Sequence, residues 1–314
     1  MSGERADRAA QTVQVAAPAG VVYAALADAV KWPLFFTPSI HVERLEFDGE
    51  RERLRMWSLV EGQLLSWTSW RHLDPVEHRI EFRQEVPAAV AESMRGVLTI
   101  HSRGPHRSEV ELCCGTGPGA GTGTAGALHG DTAWAQRAAG LKAFAERWTR
   151  LDDLVLSFED SVRVNGPAEL VYDFLYRAGD WPELVAHVTG VHLTEDLPGI
   201  QRMTMQTLTE YGAHTTESVR ICFPHAGRII YKQSPVSPLL AAHTGEWSVT
   251  PDETGVTVTS RQTVLLREEN TTALLGGSIG LAQVRRQVRE ALGHTCLALL
   301  APAKQHAESA VRML

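Results

Sequence analysis

Ser69 and Arg71 are two residues of this sequence whose types and spacing could do chemistry together. They lie in the segment SWTSWRHL at 66–73, which is typical of a β-strand. Because side chains alternate along a strand, Trp67, Ser69 and Arg71 project from one face. If that face is exposed to solvent, Arg71 is a solvated charge that contributes little to stability. If the face is concave and apolar, the guanidinium needs an anionic or strongly hydrogen-bonding partner, and the site suits a ligand with carbonyl or enolate oxygens.

A second predicted strand carries the same pair of residues. In TTESVRIC at 215–222, the side chains of Thr216, Ser218 and Arg220 share one face. The Ser-x-Arg spacing is kept although the neighbouring residues differ. Both strands are therefore expected to place the same two polar groups at the same structural position.

The chain is an internal duplication with an offset of 149 residues. Of the 72 positions from 13 to 84, 22 are identical to the residue 149 positions later. The matching positions of the first copy include Val13, Pro18, Val22, Tyr23, Leu26, Trp32, Pro33, Ser69, Arg71 and Gln84. A repeat of this length indicates two globular units in tandem, because solenoid repeats run at about 20 to 50 residues.

Both copies have the same predicted order of elements. A short alternating strand, at 12–17 or 161–166, precedes a proline, Pro18 or Pro167, at the start of a short helix. Six more strands are predicted in the first copy, near 42–48, 52–61, 63–73, 79–86, 95–102 and 108–114. Each copy then ends in a long helix, with apolar residues at Trp134, Ala138, Leu141, Phe144, Ala145 and Trp148 or at Val284, Val288, Leu292, Cys296 and Leu299.

These elements predict an α+β fold of two tandem domains, with boundaries at 1–153 and 154–314. In each domain we expect an antiparallel sheet of about seven strands that curls around the long C-terminal helix. A single helix fills the concave side of such a sheet incompletely. We therefore expect a cavity between the helix and the sheet.

Composition argues against several classes of protein. The 30 Lys and Arg are scattered and the formal net charge is -7, so the basic patch of a nucleic-acid-binding protein is missing. No apolar run approaches the roughly 20 residues that span a bilayer, and the first residues are too polar for a secretory signal, which predicts a soluble cytoplasmic protein. The four cysteines form no CxxC pair and the 13 histidines no HExxH motif, so we expect no metal site.

A glycine-rich segment at 115–126 contains a GxGxxG pattern at Gly121, Gly123 and Gly126. That pattern binds a dinucleotide only within a parallel βαβ unit. Here a meander precedes it and the last helix of the domain follows it, and the second copy lacks the pattern. We interpret the segment as a connection that could also gate the cavity, and we expect no cofactor.

The predicted layout resembles the helix-grip fold of START and Bet v 1-like proteins. The Trp67-x-Ser69-x-Arg71 strand, together with the upstream Trp32-Pro33 pair, resembles the aromatase/cyclases of bacterial type II polyketide synthases. The duplication resembles the di-domain class of that family. The resemblance implies aldol closure of the first ring between carbons 7 and 12 of a poly-β-ketone, dehydrative aromatisation, or both. It also implies an acyl carrier protein as partner, with other subunits of the minimal polyketide synthase as further partners.

The same resemblance implies a role for each residue of the two polar pairs. Arg71 would anchor and polarise a ketone oxygen, Ser69 would hydrogen-bond that oxygen directly or through water, and Trp67 would be a flat wall. Arg220 and Ser218 would have the same roles in the second domain. Since protons between two ketones are already acidic, a shaped cavity and fixed donors supply what the reaction needs, without a strong nucleophile.

The sequence departs from this family at several positions. Single-domain relatives have a tyrosine where Ser39 and Val188 stand here, and Thr216 stands in the second copy where Trp67 does in the first. Further candidates for lining the substrate cavities are Thr216, Trp32, Trp181, His187 and Tyr211. Both tryptophans are open to a second interpretation as core residues at a helix junction, and His187 and Tyr211 to one as structural or surface residues.

The alternative function is a non-catalytic lipid or small-molecule binding protein, because this fold hosts many carriers. The cavity of a carrier should be sealed and nearly all apolar. An outward orientation of Arg71 and Ser69 would favour that alternative, whereas an inward orientation favours an enzyme.

Overall fold

The computed structural model of the protein describes residues 10–85, 95–115, 131–209, 212–234, 236–270 and 280–312. Contacts between Cα atoms divide the chain into two compact units, Met1–Leu151 and Asp152–Leu314, referred to below as unit 1 and unit 2. Each unit contains one antiparallel sheet of seven strands. Among the described residues, no helix combines the length and the apolarity that a membrane span requires.

Unit 1 begins with strand β1 (Ala10–Val15), helix α1 (Ala19–Ala27) and a short 3-10 segment, Ala29–Leu34. Its other strands are β2 (Ser39–Phe47), β3 (Arg51–Val60), β4 (Gln63–Asp74), β5 (Arg79–Glu85), β6 (Arg95–Gly104) and β7 (Arg107–Gly115). Helix α2 (Asp131–Ala145) follows them. The strand order in the sheet is β1-β7-β6-β5-β4-β3-β2, so six strands form a meander and β1 returns to pair with the last of them.

Unit 2 repeats this arrangement. Its helices are α3 (Ala168–Tyr176) and α4 (Leu281–Arg312), and a single helical turn at Trp181–Leu184 follows α3. Its strands are β8 (Val155–Val164), β9 (Val188–Leu197), β10 (Ile200–Thr209), β11 (Gly212–Phe223), β12 (Arg228–Gln233), β13 (Leu240–Asp252) and β14 (Gly255–Leu266). The strand order is β8-β14-β13-β12-β11-β10-β9, which is the same topology as in unit 1.

The predicted α+β fold with two curled seven-stranded sheets is confirmed. One element of the prediction is wrong, because Trp148 does not belong to helix α2, which ends at Ala145, but begins the separate 3-10 segment Trp148–Arg150. The glycines of the GxGxxG pattern, Gly121, Gly123 and Gly126, lie outside the described residues. The sheets themselves contain only antiparallel pairs among the described strands, so they offer no parallel βαβ unit.

A tight hairpin sets the register of β3 and β4. Its two-residue loop, Glu61 and Gly62, has φ angles of 48° and 79°. Positive φ at both positions is typical of the type I′ turn, whose twist matches that of the flanking strands, and glycine adopts it readily. The resulting register places Glu52 directly opposite Arg71 on the neighbouring strand. The turn therefore decides which side chains meet at the centre of the sheet.

Candidate functional site

A cavity of about 90 Å³ lies in unit 1 between the sheet and helix α2. This volume is several times what one buried water molecule needs. The walls are mainly apolar and include four tryptophans, Trp32, Trp57, Trp67 and Trp134. The polar side chains that line it are Ser39, Ser58, Ser69, Arg71, Gln84 and Arg137. A few polar groups in a largely apolar cavity are typical of a small-molecule site.

Strand β4 turns its chemically interesting face towards this cavity. Trp67, Ser69, Arg71 and Leu73 are buried, whereas the residues between them are half-buried. This is the alternation expected for a strand whose one face lies on the core. Trp67, Ser69 and Arg71 all line the cavity, so the face that sequence analysis left open is the inward one.

Arg71 is held rigidly within unit 1. Its Nη1 donates a hydrogen bond to the carbonyl of Leu26 at 3.1 Å, and its Nη2 donates one to the carbonyl of Ala27 at 2.7 Å. These two carbonyls end helix α1, where main-chain acceptors have no partner within the helix. The guanidinium also lies over the ring of Trp32, 5.2 Å from its centroid. Arg71 thus joins the end of a helix to the centre of the sheet.

Glu52 supplies the counterion of Arg71. Its Oε1 is 3.0 Å from the arginine Nε, although the N–H is not directed at it well enough for a hydrogen bond. Its Oε2 accepts a hydrogen bond from Nε of Arg44 at 2.8 Å. The side chain of Glu52 is 0% exposed and that of Arg71 is 2% exposed. Burial lowers the pKa of Arg71 to about 10, and the charge of Glu52 partly offsets that effect, so the guanidinium is charged at neutral pH.

Ser69 and Gln84 extend the polar part of the cavity from Arg71 along the sheet. The two residues are direct neighbours on the paired strands β4 and β5. Ser69 is buried, and its Oγ donates to the carbonyl of Arg83 at 3.3 Å. The equivalent residues of unit 2, Ser218 and Gln233, are also direct neighbours, on β11 and β12. Gln84 and Gln233 are repeated positions of the sequence, although no motif marks either as a site residue.

Unit 2 places Arg220 in nearly the same setting as Arg71. Its Nη2 donates to the carbonyl of Leu175, which occupies the position of Leu26 in the repeat. The guanidinium is 5.4 Å from the ring centroid of Trp181 and 5.8 Å from that of Trp247. Arg220 is 0% exposed, and burial lowers its pKa. The repeat has therefore kept both the helix-to-sheet link and the aromatic neighbour.

The two units differ in what neutralises the arginine. Gln201 lies opposite Arg220, at the position that Glu52 holds in unit 1. Its amide donates to the carbonyl of Tyr176 at 3.3 Å and to Glu195 at 2.8 Å. Among the described residues, Nε and Nη1 of Arg220 have no hydrogen-bond partner. The guanidinium of unit 2 is thus buried without a carboxylate on the opposite strand.

The interiors of the units also differ in how they are filled. In each unit, a glycine faces an aromatic ring on the preceding, paired strand. A Cβ at Gly96 would be 2.5 Å from Cζ of Phe82, and a Cβ at Gly245 would be 2.2 Å from Cζ of Tyr231. Two residues beyond the glycine, unit 2 has a tryptophan, Trp247, in place of a leucine. Trp247 packs 4.9 Å from the Tyr231 ring centroid, so indole fills space that unit 1 leaves to its cavity.

Comparison with known proteins shows the family. The family described as polyketide cyclase / dehydrase and lipid transport matches residues 155–294. The granaticin polyketide synthase bifunctional cyclase/dehydratase of Streptomyces violaceoruber is 35% identical to this chain over 310 residues, which cover 96% of this chain and 95% of the relative. The chain belongs to the polyketide synthase bifunctional cyclase/dehydratases. A second cyclase/dehydratase, that of the actinorhodin polyketide synthase of Streptomyces coelicolor, is 36% identical over 314 residues and 96% of each chain.

Solved structures show the same di-domain architecture. The di-domain ARO/CYC BexL from the BE-7585A biosynthetic pathway is 39% identical, covers 96% of this chain and 98% of its own, and has a TM-score of 0.83. The di-domain ARO/CYC StfQ from the steffimycin biosynthetic pathway is 30% identical, with the same TM-score, over 96% of this chain and 99% of its own. The expected aromatase/cyclase function is confirmed, and this cyclase/dehydratase is an enzyme rather than a non-catalytic carrier.

The remaining predicted site residues of this cyclase/dehydratase fall in different places. Trp32 lines the cavity of unit 1. Trp181 is fully buried in the core of unit 2, and its indole N–H donates to the carbonyl of Phe174 at 2.9 Å. Thr216 and His187 are half-buried, and burial together with the charge of His294 lowers the pKa of His187. Tyr211 lies outside the described residues.

A buried histidine of unit 2 was missed by sequence analysis. His243 on β13 has its Nδ1 2.9 Å from Oε1 of Gln233 and its Nε2 3.0 Å from Oε1 of Gln262. Burial lowers the pKa of His243 to about 4, so the imidazole is neutral at neutral pH. No local motif surrounds this histidine, so nothing in the sequence pattern distinguishes it from the other histidines.

Proposed function

We propose that this cyclase/dehydratase closes the first ring of a carrier-tethered poly-β-ketone between carbons 7 and 12 and then removes water to give an aromatic ring. The observation that carries the proposal is Arg71, a charged guanidinium fixed in the wall of a mainly apolar cavity. A poly-β-ketone presents a carbonyl oxygen on every second carbon. Charged N–H groups are strong donors to such oxygens.

Ring closure forms one carbon–carbon bond. A methylene between two ketones loses a proton to give an enolate, the enolate carbon attacks a ketone carbon further along the chain, and the resulting alkoxide takes up a proton. The new hydroxyl then leaves with a neighbouring hydrogen as water, and enolisation completes the aromatic ring. Both anions carry their charge on oxygen, so a fixed donor beside that oxygen lowers the barrier of each step.

Arg71 is preorganised for this role by the contacts that hold it. A guanidinium has five N–H groups. One on Nη1 and one on Nη2 bind main-chain carbonyls, and the one on Nε faces Glu52. Among the described residues, each terminal nitrogen has one such partner, which leaves its second N–H for a substrate oxygen. Because the three contacts already fix the group, it does not have to reorganise as charge develops on the substrate.

The neighbours of Arg71 fit the same reaction. Ser69 lies two residues along the same face and brings a hydroxyl to the cavity, where it can bind a second oxygen directly or through water. Trp67 and Trp32 supply flat apolar walls that restrict the conformations of a flexible chain. Selecting one conformer among many is worth several kcal/mol in such reactions. Walls of this kind also exclude water from the enolate.

The proposal extends to unit 2, where Arg220 and Ser218 occupy the equivalent positions. Nε and Nη1 of Arg220 and the hydroxyl of Ser218 lack partners among the described residues. These groups suit one oxygen of the same poly-β-ketone substrate. We also propose that the substrate arrives on an acyl carrier protein, since the curated relatives are named as components of polyketide synthases.

Reconstitution with a minimal polyketide synthase and its acyl carrier protein tests the proposal. Arg71→Met is combined with Glu52→Gln, so that no unpaired carboxylate stays buried, and is compared with Arg220→Met. Arg261→Met, an exposed arginine paired with Glu159, is the control. The first-ring aromatic product should give way to products of spontaneous cyclisation in the first variant. If neither inward arginine affects the product profile, the proposed mechanism is wrong; if only one does, the other unit is a scaffold.

A further inference from the structure

The C-terminal helices of the two units can be aligned by two equivalent hydrogen bonds. In unit 1, the main-chain N–H of Ala16 donates to Oε1 of Glu146, just after α2, at 2.9 Å. In unit 2, the main-chain N–H of Asn165 donates to Oε1 of Glu308 on α4, also at 2.9 Å. Ala16 and Asn165 are equivalent positions of the repeat, so Glu146 and Glu308 are equivalent too.

Ion pairs one turn earlier support this alignment. Lys142 lies four residues before Glu146 with its Nζ 3.6 Å from the carboxylate, and Lys304 lies four residues before Glu308 at 2.6 Å. Counting back a further five residues pairs Arg137 with Leu299. At this position of the inward face the two helices therefore differ in charge: unit 1 has a guanidinium, and unit 2 has a leucine that belongs to its core.

We propose that Arg137 is a second substrate-binding residue of the unit 1 cavity, which donates to a second oxygen of the poly-β-ketone while Arg71 binds the first. This inference rests on the proposed function. Arg71 lines the cavity from the sheet, and Arg137 lines it from helix α2. A poly-β-ketone bound between these walls meets one cation on the sheet and another on the helix.

The chemistry of a β-diketone suits two donors better than one. Its enolate spreads one negative charge over two oxygens, and longer chains repeat that spacing. Arg71 reaches the cavity from the sheet, and Arg137 reaches it on a long side chain from helix α2. Arg137 is half-buried, and burial lowers its pKa; a donor to an oxyanion is strengthened where hydration is reduced. Unit 2, with Leu299 there, offers no helical cation at the equivalent position.

The probe for the test is benzoylacetone, a β-diketone whose enol and enolate forms absorb at different wavelengths. Bound to the wild-type enzyme, its enol should ionise at lower pH than in buffer. Arg137→Met should shift the ionisation of the bound probe back upwards by about one pH unit, a tenfold change in enolate stability. Arg137→Lys, which keeps a charge, should restore part of the shift. Leu299→Met, the same helix position in unit 2, is the matched control.

Three results would overturn the inference. The first is that the bound probe ionises at the same pH on Arg137→Met, Arg137→Lys and wild-type enzyme. The second is that Leu299→Met shifts this pH as much as Arg137→Met does. The third is that the probe ionises at the same pH on wild-type enzyme as in buffer. Thermal unfolding shows whether each variant is folded, and Arg137→Gln replaces Arg137→Met if the latter is not. If neither the Arg71 variant nor Arg220→Met changes the products, the proposed function fails. If Arg71 matters and Arg137 does not, the proposed function stands and this inference alone fails.

Discussion

Glu52 lies directly opposite Arg71 on paired strands, with its Oε1 3.0 Å from the arginine Nε. The same place in unit 2 holds Gln201, opposite Arg220. Duplication has thus kept the cation in both units and changed the group that faces it. In unit 1 the charge is balanced within the protein, and in unit 2 an amide replaces the carboxylate. The variants below measure what this difference and the other differences between the units contribute.

Glu52→Gln should destabilise the protein by about 3 kcal/mol, because it leaves Arg71 buried without its counterion. Urea unfolding followed by tryptophan fluorescence measures the loss. Glu46→Gln is the control, since Glu46 is more than half exposed and its pair with Arg53 is worth under about 1 kcal/mol. Equal stability of the two variants would show that the buried pair contributes nothing beyond a surface pair.

Leu98→Trp should fill the cavity of unit 1 as Trp247 fills the equivalent place in unit 2. We expect it to abolish formation of the aromatic product in the reconstituted synthase and to leave the protein folded. Trp247→Leu, the reverse exchange, should cost about 3 kcal/mol by opening a cavity in unit 2. Full activity in folded Leu98→Trp would mean that the substrate binds elsewhere.

Gly96→Ala should destabilise unit 1 by about 1 to 3 kcal/mol, because the new methyl group would overlap the ring of Phe82. The double variant with Phe82→Leu should recover much of that loss. Gly179→Ala is the control, since a Cβ at Gly179 would have nothing within 4 Å. The free energy of unfolding measures all three, and a Gly96→Ala protein as stable as Gly179→Ala would contradict the expected overlap.

His243 should make the protein sensitive to acid. Its pKa is about 4 in the folded protein against 6.5 as the ordinary value, so the unfolded chain binds the proton more tightly. Its contribution to stability is complete above pH 6.5 and is lost as pH falls to about 4, by up to roughly 3 kcal/mol. His243→Gln cannot titrate and should flatten the fall in unfolding free energy over this range. A fall as steep as that of wild type would contradict the assignment.

Much of the fold followed from the sequence because its elements have strong periodic signals. The alternation of β4 predicted that Trp67, Ser69 and Arg71 share a face, and burial of that face is what the sheet shows. Local pattern could not decide whether the face pointed inward. That depends on the curl of the whole sheet and on the helix packed against it, which are tertiary properties.

Arg137 and Glu52 escaped sequence analysis for different reasons. The repeat offset of 149 holds through the strands but fails at the last helix, because helix α4 has 32 residues whereas helix α2 has 15. The uncorrected offset pairs Arg137 with Arg286, an exposed residue, and hides the contrast with Leu299. Glu52 is correctly aligned by the offset of 149, but the equivalent residue is Gln201. The position is therefore not among the identities between the two copies.

Each inward arginine donates a hydrogen bond to the end of a helix, and this affects what a repeated arginine says about the activity of each domain in a duplicated enzyme. Arg71 and Arg220 both tie the last turn of a helix to the middle of a sheet. A copy of the domain that had lost all its chemistry would still need this tie to keep its shape, and selection for folding alone would preserve the arginine. The number of inward arginines along a chain therefore counts intact domains, and whether each domain turns over substrate depends on the residues that surround the guanidinium.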